Sequence, residues 1–302
     1  MNFSNVNEWN IPEGEVIKVT DSLNRVIWEK QQPVPPTPSN SYFYVEDASG
    51  SNNTVTIKKV RDSDEHYITP TITVYYSTDQ INWTSMGSTS TTGITVTIPA
   101  NTKVYFRATA NTWSSVHTNY CNIFDIGGNC RVGGNVMSLI YGSNFANKTS
   151  FPNNSNSNLA KIFSSNPVVD ASNLVLPATT LTQQCYVGMF QNCTSLTQAP
   201  QLPATTLAQQ CYQMMFSYCT SLTQAPQLPA TTLADYCYQS MFSGCYALNT
   251  VITYAQDISA SYCTSNWLQS VASTGDFYNL GGATYTSGVS GIPSGWTEHN
   301  SL

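Results

Sequence analysis

Cysteine is the residue of this sequence with the widest chemistry, because thiolates bind metals, form disulfides and act as nucleophiles. The chain has 302 residues and nine cysteines, and no two cysteines have the C-x-x-C spacing of a metal or redox site. The histidines His66, His117 and His299 are far from one another and from the cysteine cluster at 185–263. We therefore predict no metal, no cofactor and no disulfide framework, and we expect free, buried thiols in the cluster at 185–263. The nine cysteines are Cys121, Cys130, Cys185, Cys193, Cys211, Cys219, Cys237, Cys245 and Cys263.

Carboxylates could supply two further chemistries, calcium binding and general acid–base catalysis. Asp62, Asp64 and Glu65 form an acidic cluster, but it lacks the glycine and the ligand spacing of a calcium loop, which favours a solvated loop. The acids beyond residue 161 are widely spaced and share no repeat register, and no G-x-S-x-G elbow is evident. We predict a protein without catalytic residues. A polysaccharide-acting enzyme is the weakest alternative, and it would need these acids to converge: Asp170, Asp235, Asp257, Asp276 and Glu298.

Charge excludes several classes of partner. Charged residues make up 9% of the chain, and no Lys or Arg follows Lys161. A surface without cations cannot neutralise phosphates, so nucleic-acid binding and attachment to anionic membranes are excluded for the later half. No apolar run of about 18 residues is present for membrane insertion. The first residues have neither the basic nor the apolar region of a secretory signal, so we expect none.

The first 40 residues have the layout of an anchor. The alternating pattern around "DSLN" predicts a β-hairpin over about residues 15–29, which is too small to bury a core alone. Residues 31–40 carry four prolines and predict a stiff, extended linker. We expect residues 1–30 to dock on a partner surface, although a poorly ordered tail is the alternative. The candidate docking residues are Trp9, Ile11, Pro12, Val16, Val19, Val26 and Trp28.

Residues 41–135 predict a small antiparallel β-sandwich, immunoglobulin-like in outline. Short runs rich in Val, Ile, Thr, Tyr and Phe alternate with turn clusters. "WTSMG" after "STDQIN" predicts a hairpin, and Trp83 is a candidate core residue. The predicted strands are "YFYVED", "TVTIKKV", "TITVYYST", "ITVTIPA" and "KVYFRAT".

From residue 136 to 302 a repeat dominates the sequence. "CTSLTQAPQLPATTLA" occurs at 193–208 and again, unchanged, at 219–234, and Leu, Cys, Met and Phe recur every 26 residues. A fixed period of this length with recurrent Leu predicts stacked coils of a leucine-rich-repeat solenoid, with degraded coils at both ends. In stacked identical coils, each buried side chain would pack on the equivalent side chain of the next coil. The predicted ladders are Leu176, Leu202 and Leu228; Cys185, Cys211, Cys237 and Cys263; Met189, Met215 and Met241; Phe190, Phe216 and Phe242.

Each coil predicts two faces. "QQCYQMMF" has helical spacing and predicts a short helix or 3₁₀ turn on the convex side, while "SLTQAPQL" predicts the strand of the concave side. A face rich in amides and hydroxyls suits hydrogen bonding to sugars, although the same positions also fit a merely solvated strand. Tyr186, Tyr212 and Tyr238 form a ladder that fits core packing better than sugar stacking. The candidate ligand residues are Thr197, Gln198, Gln201, Thr223, Gln224, Gln227 and Thr250.

The repeat unit "LPATTLAQQCYQMMFSYCTSLTQAPQLPATTL" resembles the BspA-like leucine-rich repeats of gut Bacteroidales bacteria and their phages. "CRVGGNVMSLIYGSNF" resembles the junction between a small β-domain and such an array, and "SNWLQSVASTGDFYNL" resembles its usual end. The resemblance covers about residues 40–302. It implies surface proteins that bind host matrix or other cells, and it brings no catalytic residues.

The N-terminal stretch "WNIPEGEVIKVTDSLNRVIWE" instead resembles N-terminal pieces of structural proteins in crAss-like phages. This resemblance covers about 25 residues and implies a virion protein made in the host cytoplasm without a signal peptide. The expectation is an oligomeric tail fibre, head fibre or similar appendage on the virion surface, docked to other virion proteins through residues 1–30 and contacting a host glycan or protein ligand. A bacterial cell-surface adhesin is the alternative.

Overall fold

The computed structural model describes residues 17–20, 26–30, 40–59, 70–110, 112–114, 121–152 and 156–302. The described chain is mainly β, with several antiparallel sheets and very little helix. None of the helices in these ranges has the length and apolarity required for a membrane crossing.

Strands β1 (Ile17–Thr20) and β2 (Val26–Lys30) pair antiparallel, from Ile17 opposite Lys30 to Thr20 opposite Val26. This pairing agrees with the hairpin that the alternating pattern predicts. The ladder has one irregularity, between Val19 and Thr20. Four of the candidate docking residues lie outside the described residues: Trp9, Ile11, Pro12 and Val16.

Eight strands follow between residues 43 and 135, and they include every strand predicted from the β-rich runs. The alternation of buried and exposed residues along β4 and β8 shows why these runs form strands, since one side of each faces the core. Strand β6 lies on "WTSMG", where a hairpin is predicted, whereas β9 and β10 have weaker sequence signals and were not predicted. The strands are β3 (Phe43–Asp47), β4 (Asn53–Lys59), β5 (Thr73–Ser77), β6 (Thr84–Ser88), β7 (Ile94–Ile98), β8 (Lys103–Ala108), β9 (Asn122–Ile126) and β10 (Cys130–Asn135).

These strands form two sheets over a shared aromatic core. One sheet has the order β10-β3-β8-β5-β6, and the other has the order β7-β4-β9. The ring of Phe124 packs edge-on against Phe43 and Phe106, at centroid distances of 5.3 and 5.4 Å. Trp113 stacks on Phe124 at 5.4 Å and is fully buried. Aromatic burial of this size dominates the stability of a small core.

The strand order departs from the immunoglobulin-like order that the sequence predicts. In immunoglobulin domains the first strand lies beside the second, and the last strand lies in the other sheet. Here the first strand, β3, pairs with β8 and β10, whereas β9 pairs with β4. Because β3 pairs with β10, the larger sheet ends on the strand that leads into the repeats.

The core tryptophan is Trp113, and the prediction of Trp83 was wrong. Trp83 follows a tight turn and is half-exposed, with its ring against Tyr42 at 4.6 Å and Arg107 at 4.4 Å. Its indole N–H donates to the carbonyl of Gln80 at 3.2 Å. By contrast, the indole N–H of Trp113 donates to the buried carbonyl of Leu139 at 2.9 Å. The indole ring of Trp113 is therefore fully buried without an unpaired donor.

The larger sheet continues across the predicted boundary at residue 135. After α1 (Ser138–Tyr141) and a 3₁₀ turn (Gly142–Asn144), strand β11 (Val168–Val175) pairs parallel with β10 and becomes its sixth strand. Phe163 packs on Phe43 at 5.4 Å on one side and on Phe190 at 5.4 Å on the other. The repeats and the sheets therefore share one hydrophobic core.

The 26-residue repeats lie directly on one another. The backbone N–H of Tyr186, Tyr212 and Tyr238 donates to the carbonyl of Cys211, Cys237 and Cys263, at 3.0, 3.1 and 2.9 Å. Phe190, Phe216 and Phe242 stack almost parallel, with centroids 5.7 and 5.6 Å apart. Every residue of the predicted Leu, Cys, Met and Phe ladders is buried, which confirms the predicted core faces.

The segment predicted as a short helix forms consecutive turns instead. Within it, alternate N–H groups donate three residues back, as from Met189 to Tyr186 at 3.2 Å, and the others donate to the next coil. Every fourth residue has a left-handed backbone, for example Gln184, Gly188 and Asn192 with φ near +60°. The neighbouring coil presents carbonyls in register, whereas an isolated helix of eight residues is too short to be stable, so the shared hydrogen bonds prevail.

The predicted concave strand is present only as isolated parallel bridges in the central coils. Gln198 bridges Asp170, and Gln224 bridges Thr250. Proline at 200 and 226 removes the N–H donors that a continuous ladder would need. A regular parallel sheet appears only in the last coils, formed by β12 (Thr250–Thr253), β13 (Gly275–Asn279) and β14 (Trp296–His299).

Candidate functional site

The predicted ligand residues lie on the side of the coils that carries the parallel bridges. Thr197, Gln198 and Gln201 are exposed in one coil, and Thr223 and Gln224 are exposed in the next. The structure therefore places these five polar side chains on open surface.

Backbone bonds to neighbouring coils set the positions of these residues. Thr197 donates its N–H to the carbonyl of Val169 at 3.0 Å, and the carbonyl of Gln198 accepts from Ala171 at 2.9 Å. The hydroxyl of Thr197 also donates to the Val169 carbonyl, at 2.9 Å. The hydroxyl hydrogen of Thr197 is thus already used within the protein, while the amide of Gln198 is open.

Two of the predicted ligand residues are less accessible than the sequence predicts. Gln227 is half-buried, and its amide oxygen is buried with no hydrogen-bond partner among the described residues. Thr250 is half-buried and donates its hydroxyl to the side chain of Asn249 at 3.0 Å. Gln227 precedes Leu228, which bridges Thr253, and Thr250 is the first residue of β12.

The tyrosine ladder is core packing, as its spacing favours. Tyr186, Tyr212 and Tyr238 are fully buried, with ring centroids 5.7 and 6.2 Å apart along the stack. Burial raises the pKa of each phenol well above its ordinary range. The hydroxyls of Tyr186 and Tyr212 have no hydrogen-bond partner in the part of the chain that the structure describes. This ladder presents no surface to a ligand.

A different set of tyrosines is exposed, and the sequence reasoning missed it. Tyr236 and Tyr262 lie 26 residues apart, and their rings stack with centroids 5.1 Å apart and an interplanar angle of 19°. Tyr262 is 63% exposed and Tyr236 is half-buried. Two further tyrosines, Tyr218 and Tyr246, are exposed on nearby turns. The available signal was the change from Gln to Tyr at one register of otherwise near-identical coils.

Glutamine occupies the same register in the preceding coils. The side-chain amide of Gln184 donates to that of Gln210 at 3.0 Å, and Gln183 donates to Gln209 at 3.3 Å. Planar side chains thus follow one another across four coils at positions 184, 210, 236 and 262. We call Gln184, Gln210, Tyr236 and Tyr262 the planar row.

A carboxylate lies beside the aromatic end of the planar row. Asp235 precedes Tyr236 in the chain, and its Oδ1 accepts the backbone N–H of Ser261 at 2.8 Å, one residue before Tyr262. Asp235 is exposed. Its second carboxylate oxygen is an acceptor that a ligand hydroxyl could reach.

The cysteines are structural, and their burial confirms the prediction. All nine are buried and free. One series donates its S–H groups across coils: Cys193, Cys219 and Cys245 lie 3.1, 3.1 and 3.0 Å from the carbonyls of Phe163, Phe190 and Phe216. Burial raises the pKa of the Cys193 and Cys245 thiols to about 12. Such thiols remain protonated and are poor nucleophiles.

The remaining titratable groups are dispersed over the described ranges. There, no three His, Cys, Asp or Glu side chains converge on a point that could hold a metal ion. Asp276 pairs with His299 at 2.7 Å across β13 and β14, and Glu298 accepts from the side-chain amide of Asn279 at 2.8 Å. Five acidic or histidine residues whose chemistry the sequence raises lie outside the described residues: Asp62, Asp64, Glu65, His66 and His117.

The anchor residues that are described lie on the hairpin. Val19 on β1 pairs with Trp28 on β2, and Val26 pairs with Thr20.

Comparisons of the chain with family models, with curated proteins and with solved structures each found no match.

Proposed function

We propose that this chain is a non-enzymatic structural protein of a phage particle, namely a tail fibre, head fibre or similar surface appendage. In this proposal residues 1–30 dock on other virion proteins, and the repeats form a BspA-like leucine-rich-repeat solenoid that adheres to a host glycan or surface ligand. The sequence resemblances at both ends of the chain support the two parts of the proposal.

The observation that carries the adhesive role is the stacking of near-identical coils. Each coil adds the same exposed polar positions, such as Gln198 and then Gln224, one repeat further along. A repeated surface of this kind fits a ligand that itself repeats, because each added coil can add an equivalent contact. The larger sheet joins this stack to the preceding β-sandwich through β10 and β11, so the repeats have a rigid support.

The antiparallel hairpin supports the docking role. Two strands of four and five residues are marginally stable in isolation. Such a hairpin gains stability when another surface covers it, and the apolar residue types Val19, Val26 and Trp28 are our candidates for that contact.

An antibody against residues 165–302 tests the proposal directly. We expect it to label purified phage particles and to leave uninfected bacteria unlabelled. Labelled uninfected bacteria with unlabelled particles would overturn the virion assignment and support the cell-surface adhesin instead.

Deletion of residues 1–30 tests the docking role separately. The shortened chain should remain soluble and folded, because the described core begins at Phe43. We expect it to be absent from assembled particles. Incorporation at the level of the full chain would contradict an anchor in this segment.

A further inference from the structure

The planar row changes character along the stack, from amides to aromatic rings. Gln184 and Gln210 are joined by a side-chain hydrogen bond of 3.0 Å, and the next two positions carry the stacked rings of Tyr236 and Tyr262. The four positions share one register, so a linear ligand lying along the stack would meet them in turn.

The local backbone conformation does not favour tyrosine at positions 236 and 262. Both residues have a left-handed backbone, with φ of +57° and +53°. This conformation is unfavourable for a bulky side chain, and Gly or Asn would adopt it more easily. Gln184 and Gln210 occupy the same place with φ of +59° and +58°, so coil stacking does not require an aromatic ring there. The backbone therefore gives no preference for an aromatic ring at these two positions.

Stacked phenol rings favour a ligand with flat apolar faces. The face of an aromatic ring carries partial negative charge, which attracts the weakly positive C–H groups on one face of a pyranose sugar. That contact also removes apolar surface from water. Tyr262 is 63% exposed, so its ring is open to such a contact.

The surrounding charge selects against anionic ligands. Residues 162–302 contain five acids and no Lys or Arg, so the coils that carry Tyr236 and Tyr262 offer no cation to a sulfate, carboxylate or phosphate. Asp235, beside both rings, would repel such groups and would accept hydrogen bonds from sugar hydroxyls. Nucleobases also stack on tyrosine, but their phosphates meet the same repulsion.

We infer that the planar row is a binding site for a neutral polysaccharide, with a pyranose ring on the face of Tyr262 that Tyr236 does not cover and hydroxyls hydrogen-bonded to Asp235, Gln184 and Gln210. The inference rests on the proposed adhesive function for its biological setting, and it names the class of ligand and the residues that bind it.

Affinity electrophoresis of the full chain in native gels tests the inference. The probes are galactomannan, xyloglucan and amylopectin as neutral polysaccharides, with polygalacturonate as the acidic one. We expect at least one neutral polymer to retard the chain and polygalacturonate to leave its mobility unchanged. Failure of all three neutral polymers, or stronger retardation by polygalacturonate, would overturn the inference.

Three variants locate the site. Tyr236→Ala/Tyr262→Ala should weaken binding at least tenfold, whereas Tyr262→Phe, which keeps the ring, should retain it. Tyr246→Ala is the matched control, because Tyr246 is 58% exposed but lies outside the planar row. All three side chains are at the surface, and thermal unfolding checks that each variant is folded. Unchanged binding by the double variant would place the ligand elsewhere.

Two further measurements complete the test. The first distinguishes a polysaccharide ligand from a second copy of the chain. The second separates failure of the binding-site inference from failure of the virion proposal. Sedimentation of the wild type and the double variant would reveal a dimer held by the tyrosines, in which case a second copy of the chain is the occupant and the inference fails. Polysaccharide binding by a chain that is absent from particles would leave the inference standing and overturn the virion proposal. Labelled particles with no binding to any neutral polymer would support the virion proposal and overturn the inference.

Discussion

At the scale of single residues, burial decides what the titratable side chains can do. Cysteine recurs in the stack as a small side chain that packs among Phe and Leu and donates its S–H group to a carbonyl of the neighbouring coil, as Cys219 does to Phe190 at 3.1 Å. The same burial raises the pKa of the thiols. The tyrosines divide into two kinds: Tyr212 is inside the stack, and Tyr262 is on its surface.

The raised thiol pKa values predict a loss of stability in alkali. In the unfolded chain a cysteine ionises near its ordinary pKa of 9.0, whereas Cys193 and Cys245 ionise at about 12 in the folded protein. Their contribution to stability is therefore complete below pH 9 and is lost as the pH rises from 9 toward 12. The expected slope is about 1.4 kcal/mol per pH unit for each such thiol.

Urea unfolding between about pH 7.5 and 10.5 measures this slope, because thiols of the unfolded chain ionise within this range. Cys193→Ala/Cys245→Ala should show a shallower fall than the wild type, by about twice the single-thiol value. Equal slopes in the two proteins would show that these thiols ionise alike in the folded and unfolded states.

At the scale of secondary structure, the turn segments are the least familiar elements of the fold. Each segment divides its N–H donors between its own carbonyls and those of the next coil, and it returns to a left-handed backbone every fourth residue. Hydrophobic spacing alone resembles that of a helix here, since Cys185, Tyr186, Met189 and Phe190 are all buried. The helical interpretation was wrong because it counted side chains and not the acceptors that a stacked neighbour supplies.

Glycine substitutions distinguish the turns from a helix. Ser240 has a left-handed φ of +52°, so Ser240→Gly should relieve strain, while Ser243, in the same segment, has no such backbone. We expect Ser240→Gly to be more stable than Ser243→Gly by about 1 kcal/mol in urea unfolding. In a helix both changes would destabilise by similar amounts, and that result would contradict the turn structure.

At the scale of the whole molecule, the described core is continuous from the β-sandwich into the repeats. The six-stranded sheet crosses the junction through β10 and β11, and Phe163 touches Phe43, Phe124 and Phe190. A shared sheet and a shared aromatic column therefore join the two parts among the described residues.

Phe163→Ala tests this continuity. Removing a fully buried ring should cost about 3–5 kcal/mol. Hydrogen exchange should show loss of protection both in β3 and in residues 185–193. Phe242→Ala, the same deletion further along the stack, should weaken the coils more than β3. Undisturbed protection in β3 after Phe163→Ala would show that the sandwich and the repeats unfold independently.

Local patterns predicted much of this architecture correctly. The alternating, β-rich runs predict strands such as β4 and β8, because a strand with one buried side needs that pattern. The 26-residue period predicts the buried Phe and Cys ladders. The candidate ligand site was predicted less well: Gln198 and Gln224 are exposed as expected, but Gln227 is not, and the stacked pair of half-buried Tyr236 and exposed Tyr262 was missed.

By itself, then, the sequence determined the β-rich strands such as β4 and β8, the repeat period, the buried repeat ladders and the distribution of charge, because each of these follows from residue types along the chain. The tertiary structure alone decided three further features: the sheet shared by β10 and β11, the choice of Trp113 over Trp83 as the core tryptophan, and the planar row. Each depends on which distant groups meet. A hydrogen-bond acceptor or a stacking partner supplied by another coil leaves no local pattern in the segment that it stabilises.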